Sequence, residues 1–276
     1  MRVAEAHFNS TLAQQNQPHT IALHLDFLRR TQAGPALFTV LDKKLGRQAS
    51  VIHISLSQDG RAEEVVGTVT NSNMHSETGV SFSTGYALSP SPAPASLALL
   101  AEDRDPNWAA QGSMPFAGFR KASEKTQLYF PRGSGNADPR FADEWLRLRN
   151  GERWTNATLG YVADMWPMPV EAFITRESAD GAAAEGEGEG DVKKRTAKFW
   201  YPTVLLNLDI KKPLPEEGVE WLFSRVAVKQ IKNGRMDIEV VTLDADGDIV
   251  MLSHHVSLAV SSERNLAGRR KTAAKI

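Results

Sequence analysis

Cysteine is absent from the 276 residues, which excludes a disulfide framework, a thiolate metal site and a cysteine nucleophile. An excess of either charge sign is also missing: the formal net charge is −1, so the chain lacks the basic surplus that displaces counterions from nucleic acid. No run approaches the roughly 20 apolar residues of a membrane span, and the first residues lack the basic-then-apolar order of a signal peptide. The basic end, Arg269, Arg270, Lys271 and Lys275, closes on Ala-Lys-Ile and not on a peroxisomal address, so a soluble, cytoplasmic protein is expected. The seven histidines are scattered, with no His-Glu-x-x-His pattern, and the Gly-rich stretch Gly186-Glu-Gly-Glu-Gly190 is acidic and would repel phosphate. Neither a metal nor a cofactor is expected. What remains is ordinary globular composition, 41% hydrophobic and 24% charged, whose chemistry must come from oxygen and imidazole groups.

The chain is written twice. Thr20-Ile-Ala-Leu-His-Leu-Asp26 recurs as Thr203-Val-Leu-Leu-Asn-Leu-Asp209, an offset of 183 residues. Gly46-Arg47 is matched by Gly234-Arg235, and Asp59-Gly60 by Asp246-Gly247, in the same order. Between these markers the apolar alternation of Val51 to Ser57 and of Ile238 to Leu243 reads as strands, with an Asp-Gly turn before the last one. Ahead of each block stands a candidate helix. Met1 to Gln15 is poor in Gly and Pro, whereas Thr155 to Trp166 places Leu159, Val162 and Trp166 on one face and is stopped by Pro167. Helix followed by strands, without βαβ alternation, gives an α+β unit in which a sheet wraps a helix.

The organisation read from this is an N-terminal unit over residues 1–88, a linker and irregular segment over 89–139, and a C-terminal unit over 140–262. An acidic Gly-rich insertion, 177–197, interrupts the second unit, and 263–276 form a basic tail.

Leu159-Gly-Tyr-Val-Ala-Asp164, Val204 to Trp221 with its Leu-Pro-Glu-Glu-Gly-Val-Glu-Trp ending, and Asp246-Gly-Asp-Ile-Val-Met-Leu-Ser-His-His255 resemble the second half of thioesterase-II type acyl-CoA thioesterases and their fungal thioesterase-like relatives. In the first half His19 to Thr31 and Leu45 to Ser50 fit the same family. The resemblance implies a tandem, or double, hotdog fold and an acyl-CoA or related thioester as substrate, cleaved to acid and free thiol. The chain opens inside what the family would make its first helix, so the first strand of the N-terminal unit is expected to be missing.

The resemblance also implies a site. It places an Asp near the end of the second helix, here Asp164; a polar residue on the next strand, here Asn207; and a last-strand Gln, replaced here by His255. Asp164 would activate water, while Trp166 and Tyr161 flank it as acyl-contacting aromatics. Because neighbouring strand residues face opposite sides, His255 and Asn207 are expected to point inward and His254 outward. A repurposed hotdog that binds acyl groups without cleaving them is one alternative. A hotdog hydratase or dehydratase is another, although no His and Asp share a helix-entry loop. A homo-oligomer is compatible with the sequence.

Overall fold

A computed structural model describes residues 1–58, 60, 62–112, 122–133, 138–176 and 199–261. The acidic insertion and the basic tail therefore lie outside the described residues. The first repeat contains helix α1 (Arg2–Asn9) and strands β1 (His19–Phe27), β2 (Leu37–Lys44), β3 (Ala49–Ser57) and β4 (Glu63–Ser72). Between the repeats come α2 (Leu97–Ala101), β5 (Trp108–Ala110) and β6 (Thr126–Pro131). The second half contains β7 (Phe141–Leu148), α3 (Leu159–Ala163), a helix α4 at 169–176, β8 (Phe199–Trp200), β9 (Thr203–Ile210), β10 (Leu222–Ala227), β11 (Ile231–Lys232), β12 (Arg235–Leu243), β13 (Ile249–Leu258) and β14 (Val260–Ser261).

One antiparallel sheet runs in the order β2-β3-β4-β1-β9-β13-β12-β10-β7-β6-β5. Its centre is palindromic. β2-β3-β4-β1 in one half answers β10-β12-β13-β9 in the other, so two sheets of one topology meet edge to edge at β1 and β9. At this seam His24 lies opposite Asn207, the residue 183 positions on, which places the pseudo-two-fold axis between them.

Leu23 and Leu25, with Leu206 and Leu208, turn toward one face of the sheet, where α1 presents Ala4 and Phe8 and α3 presents Leu159, Val162 and Ala163. Both helices thus share one core. Tight crossings are supplied by glycine: a Cβ on Gly67 would come within 2.3 Å of the His24 carbonyl oxygen across β1 and β4. Asn233 and Gly234, at φ 53° and 73°, make the two-residue turn joining β11 to β12.

The helices are shorter than their sequence windows. After α1 the chain breaks at Ser10 and forms only a 3-10 turn at Ala13–Gln15. In the second unit Thr155 and Thr158 form a capping box around a 3-10 turn at Asn156–Thr158, and α3 follows. The Asp164 N–H reaches back to the Tyr161 carbonyl, which tightens and ends the helix before Pro167.

Residues 89–139 are a correction to the reading as an irregular linker. They carry α2, β5 and β6, and they bury Leu100 and Trp108 with Leu88, Tyr129, Trp221 and Phe223 on the far face of the second sheet. Pro and Ala dominate the sequence there, yet Asp105 orders it by accepting hydrogen bonds from the Ser96, Asn107 and Trp108 amides. β7 extends the second sheet beyond β10. Among the described residues β2, its topological counterpart's edge, has no such neighbour.

Candidate active site

Termination of α3 sets Asp164 at the junction of helix, β9 and the Pro167 turn. Its Oδ1 accepts a hydrogen bond from Thr203 Oγ1 at 3.0 Å. Protein crowds the carboxylate, yet 49% of the side-chain surface stays accessible because one side faces an open cavity. Desolvation by that crowding raises the Asp164 pKa above its ordinary value, against the opposing pull of Thr203 and of the Trp166 indole N–H. A carboxylate so placed is a stronger base than one in water, and its accessible side opens onto the cavity.

Behind it, on β13, His255 is fully buried. Its Nδ1 lies 3.8 Å from Asp164 Oδ1, Nε2 lies 2.7 Å from Ser253 Oγ, and Trp166 packs edge-on with ring centroids 6.4 Å apart. Burial, reinforced by neighbouring His254, lowers the His255 pKa to about 4, so the ring is neutral at pH 7. The facing carboxylate favours the tautomer with the proton on Nδ1, leaving Nε2 to accept from the Ser253 hydroxyl. His255 thus lies beneath Asp164, its Nδ1 beyond hydrogen-bond reach of the carboxylate, and has no surface in the cavity.

The cavity, about 460 Å³, is lined by Asp164, Trp166, Thr203, Gln111, Ser123 and Trp200 among others. Of the five residues expected at the site, Asp164 and Trp166 line the cavity and His255 lies buried beneath them. Asn207 is not among them. It points to the opposite face of the sheet, between His24 and His254 in the strand register, with its Oδ1 2.7 Å from His24 Nδ1. The polar strand residue at the site is Thr203, four positions earlier. Tyr161 does not line the cavity either: its hydroxyl donates to the Ala122 carbonyl at 2.7 Å and lies 3.2 Å from Thr126 Oγ1, anchoring the turn that carries Ser123.

Thr203 had a signal in the sequence, since it opens the repeated block and matches Thr20. Gln111 and Ser123 had none, because they come from the segment read as a linker. Among the described residues no group of three or more His, Cys, Asp or Glu side chains is placed to hold a metal ion. No helix among them is long and apolar enough to cross a membrane.

Residues 92–259 match the acyl-CoA thioesterase C-terminal domain and residues 1–72 match the acyl-CoA thioesterase N-terminal domain. The chain belongs to the acyl-CoA thioesterase family. The thioesterase-like protein TwmA of Talaromyces wortmannii is 34% identical over 291 residues, covering 96% of this chain and 83% of its own. Similar solved structures include a hot dog fold protein of unknown function from Alicyclobacillus acidocaldarius, at TM-score 0.64 and 15% identity, with 88% of this chain and 79% of that one covered. The acyl-CoA thioesterase II TesB2 from Mycobacterium marinum follows at TM-score 0.53 and 12% identity, covering 88% and 81%. These structural likenesses show the double hotdog fold of this thioesterase-family chain, and the sequence matches show the family.

Proposed function

We propose that this acyl-CoA thioesterase-family chain hydrolyses an acyl-CoA or related thioester with Asp164 as its general base, oriented by Thr203 and backed by the buried ring of His255. One observation supports the assignment above the others: a carboxylate of raised pKa, hydrogen-bonded to a hydroxyl and backed by a neutral imidazole, opens onto a cavity that can hold an acyl group. Asp164 takes a proton from water as the water oxygen bonds to the thioester carbonyl carbon. The tetrahedral intermediate then collapses with cleavage of the C–S bond, and the departing thiolate recovers that proton from Asp164. The carboxylic acid and a free thiol result. Because His255 is sealed behind Asp164, it cannot reach a substrate α- or β-carbon, which separates this arrangement from a His-and-Asp dehydratase.

The test is thiol release from a series of acyl-CoAs. Asp164→Asn keeps the shape and removes the base, so turnover should fall by about 10²-fold or more with the melting temperature little changed. Wild-type turnover in Asp164→Asn would overturn the assignment and leave an acyl-binding role.

A further inference from the structure

Three successive inward positions of β13 are polar: Ser253, His255 and Ser257. By the strand register their counterparts on β4 are Gly67, Val69 and Asn71. Burying polar side chains on a helix-facing strand costs stability unless each finds a partner. Ser253 has His255, with Oγ 2.7 Å from Nε2. Ser257 is fully buried and has Thr203: among the described residues its hydroxyl hydrogen-bonds no other group, and Oγ stands 3.5 Å from Thr203 Oγ1, long for a bond between hydroxyls. The direction of that contact follows from the next one. An ionised Asp164 only accepts, so the single Thr203 proton goes to its Oδ1, at 3.0 Å, and the Thr203 oxygen is left to accept from Ser257. The first unit fills the same place in the register differently. Asn71 stands opposite Thr20 as Ser257 stands opposite Thr203, but its amide donates to the Gln17 carbonyl and so presents Oδ1, which takes the Thr20 proton at 3.0 Å. The side chain across the bulge thus decides where each threonine proton points. An acceptor draws it in one half, and a donor turns it toward the carboxylate in the other.

We infer that Ser257 is a positioning residue, which by donating to Thr203 Oγ1 commits the Thr203 proton to Asp164. The inference rests on the reading of Asp164 as the base. A threonine hydroxyl that rotates freely spends part of its time turned from the carboxylate, whereas one that accepts from a buried serine keeps its proton on Asp164 before substrate arrives. Ser257 has no surface in the cavity, so it acts on the reaction only through Thr203. The titratable groups around Asp164 are His255 from β13, Tyr161 from α3, and Glu171 and Tyr201 on the cavity wall, and all four stay in place when Ser257 or Thr203 is changed.

The test follows the carboxyl carbon of Asp164 against pH by carbon NMR, in the full chain labelled at aspartate, with the signal assigned by its absence from Asp164→Asn. Thr203→Val deletes the donor, so the Asp164 titration should move to higher pH, since a hydrogen bond to the charged form opposes desolvation there. Ser257→Ala should move it the same way by a smaller amount, and the double variant should titrate as Thr203→Val does, because the two hydroxyls act in series. In thiol release from acyl-CoAs, Ser257→Ala should lower kcat about three- to tenfold with KM unchanged, and should lower it no further in the Thr203→Val background. Where Ser257→Ala does not fold, Ser257→Cys, with a weak donor of similar shape, carries the same comparison. An Asp164 titration unmoved by loss of the Ser257 hydroxyl overturns the positioning role, as does a double variant that shifts further than Thr203→Val. Wild-type turnover in Asp164→Asn overturns the base reading instead, and the titrations still decide whether Ser257 holds the Thr203 proton in place.

Discussion

Replacing His255 by Gln tests the buried imidazole through its proton. An ordinary histidine titrates near 6.5, whereas His255 is held at about 4 because burial penalises the cation. Between those values the unfolded chain takes up a proton that the native ring refuses. The stability tied to this site is therefore complete above about pH 6.5 and is lost as pH falls toward 4. Holding the ring at about 4 in place of its ordinary value corresponds to about 3 kcal/mol. His255 has no exposed surface, so solvent screening does not reduce that figure much.

Glutamine has no such titration. Urea unfolding of the wild type and His255→Gln, run at intervals from pH 7.5 to 4, should show the wild type losing about 2–3 kcal/mol more than the variant over that window, whatever their offset at pH 7.5. A difference that stays flat with pH would refute the reasoning, because it would mean the ring protonates in place. The amide N–H of Gln can also face Asp164 as Nδ1–H does. Turnover in His255→Gln should stay within about tenfold of wild type, and His255→Leu should fall well below it.

Two further outcomes concern stability. Glu144 on β7 is fully buried, with neither carboxylate oxygen partnered among the described residues, and desolvation pushes its pKa well above the ordinary value, so native stability declines as pH rises past the unfolded titration near 4.5. Glu144→Met should raise stability at pH 7 by about 1–3 kcal/mol in thermal or urea unfolding and remove that decline; an unstable variant would show that the carboxyl has a partner. Lys212 Nζ lies 2.6 Å from Asp244 and 2.7 Å from Asp248 at the turn between β12 and β13, with Asp244 Oδ1 also accepting from the Asp246 and Asp248 amides. Lys212→Met should lower the melting temperature by a few degrees at neutral pH and by less in high salt, since the two carboxylates are left facing each other; a loss independent of salt would point to packing instead.

Much of the fold was legible because repetition is a strong constraint. Thr20 to Asp26 and Thr203 to Asp209 are the seam strands themselves, so the most visible repeat in the sequence is where the two sheets join. Residues 89–139 were illegible for the opposite reason. Their order comes from Asp105 capping backbone amides and from Trp108 and Leu100 meeting Trp221 and Phe223, contacts between positions about a hundred residues apart that no local pattern encodes.

The site was half legible, and the missing half has one geometric cause. Along β9, Leu206, Leu208 and Ile210 face the helices, so strict alternation puts every odd-numbered residue outside, Thr203 and Asn207 alike. Asn207 obeys. Thr203 does not, because the pairing with β13 slips between Val256 and Ser257: Val256 faces Leu205 but Ser257 faces Thr203, leaving Val204 as an extra residue. That bulge turns Thr203 inward to Asp164. The first unit carries the same irregularity, a slip between Thr20 and Ala22 that turns Thr20 into the interior, where its hydroxyl donates to Asn71. Both bulges lack a glycine to mark them, so period-two reasoning passes straight through. The repeat itself held the cue: a threonine opens both copies, and a hydroxyl at the same point of two related strands has a shared backbone reason to be there. In the first unit the hydroxyl meets an amide and closes a structural contact; in the second it meets a carboxylate facing a cavity. The same bulge thus serves packing in one half and the proposed chemistry in the other, and the residue that distinguishes them is Asp164.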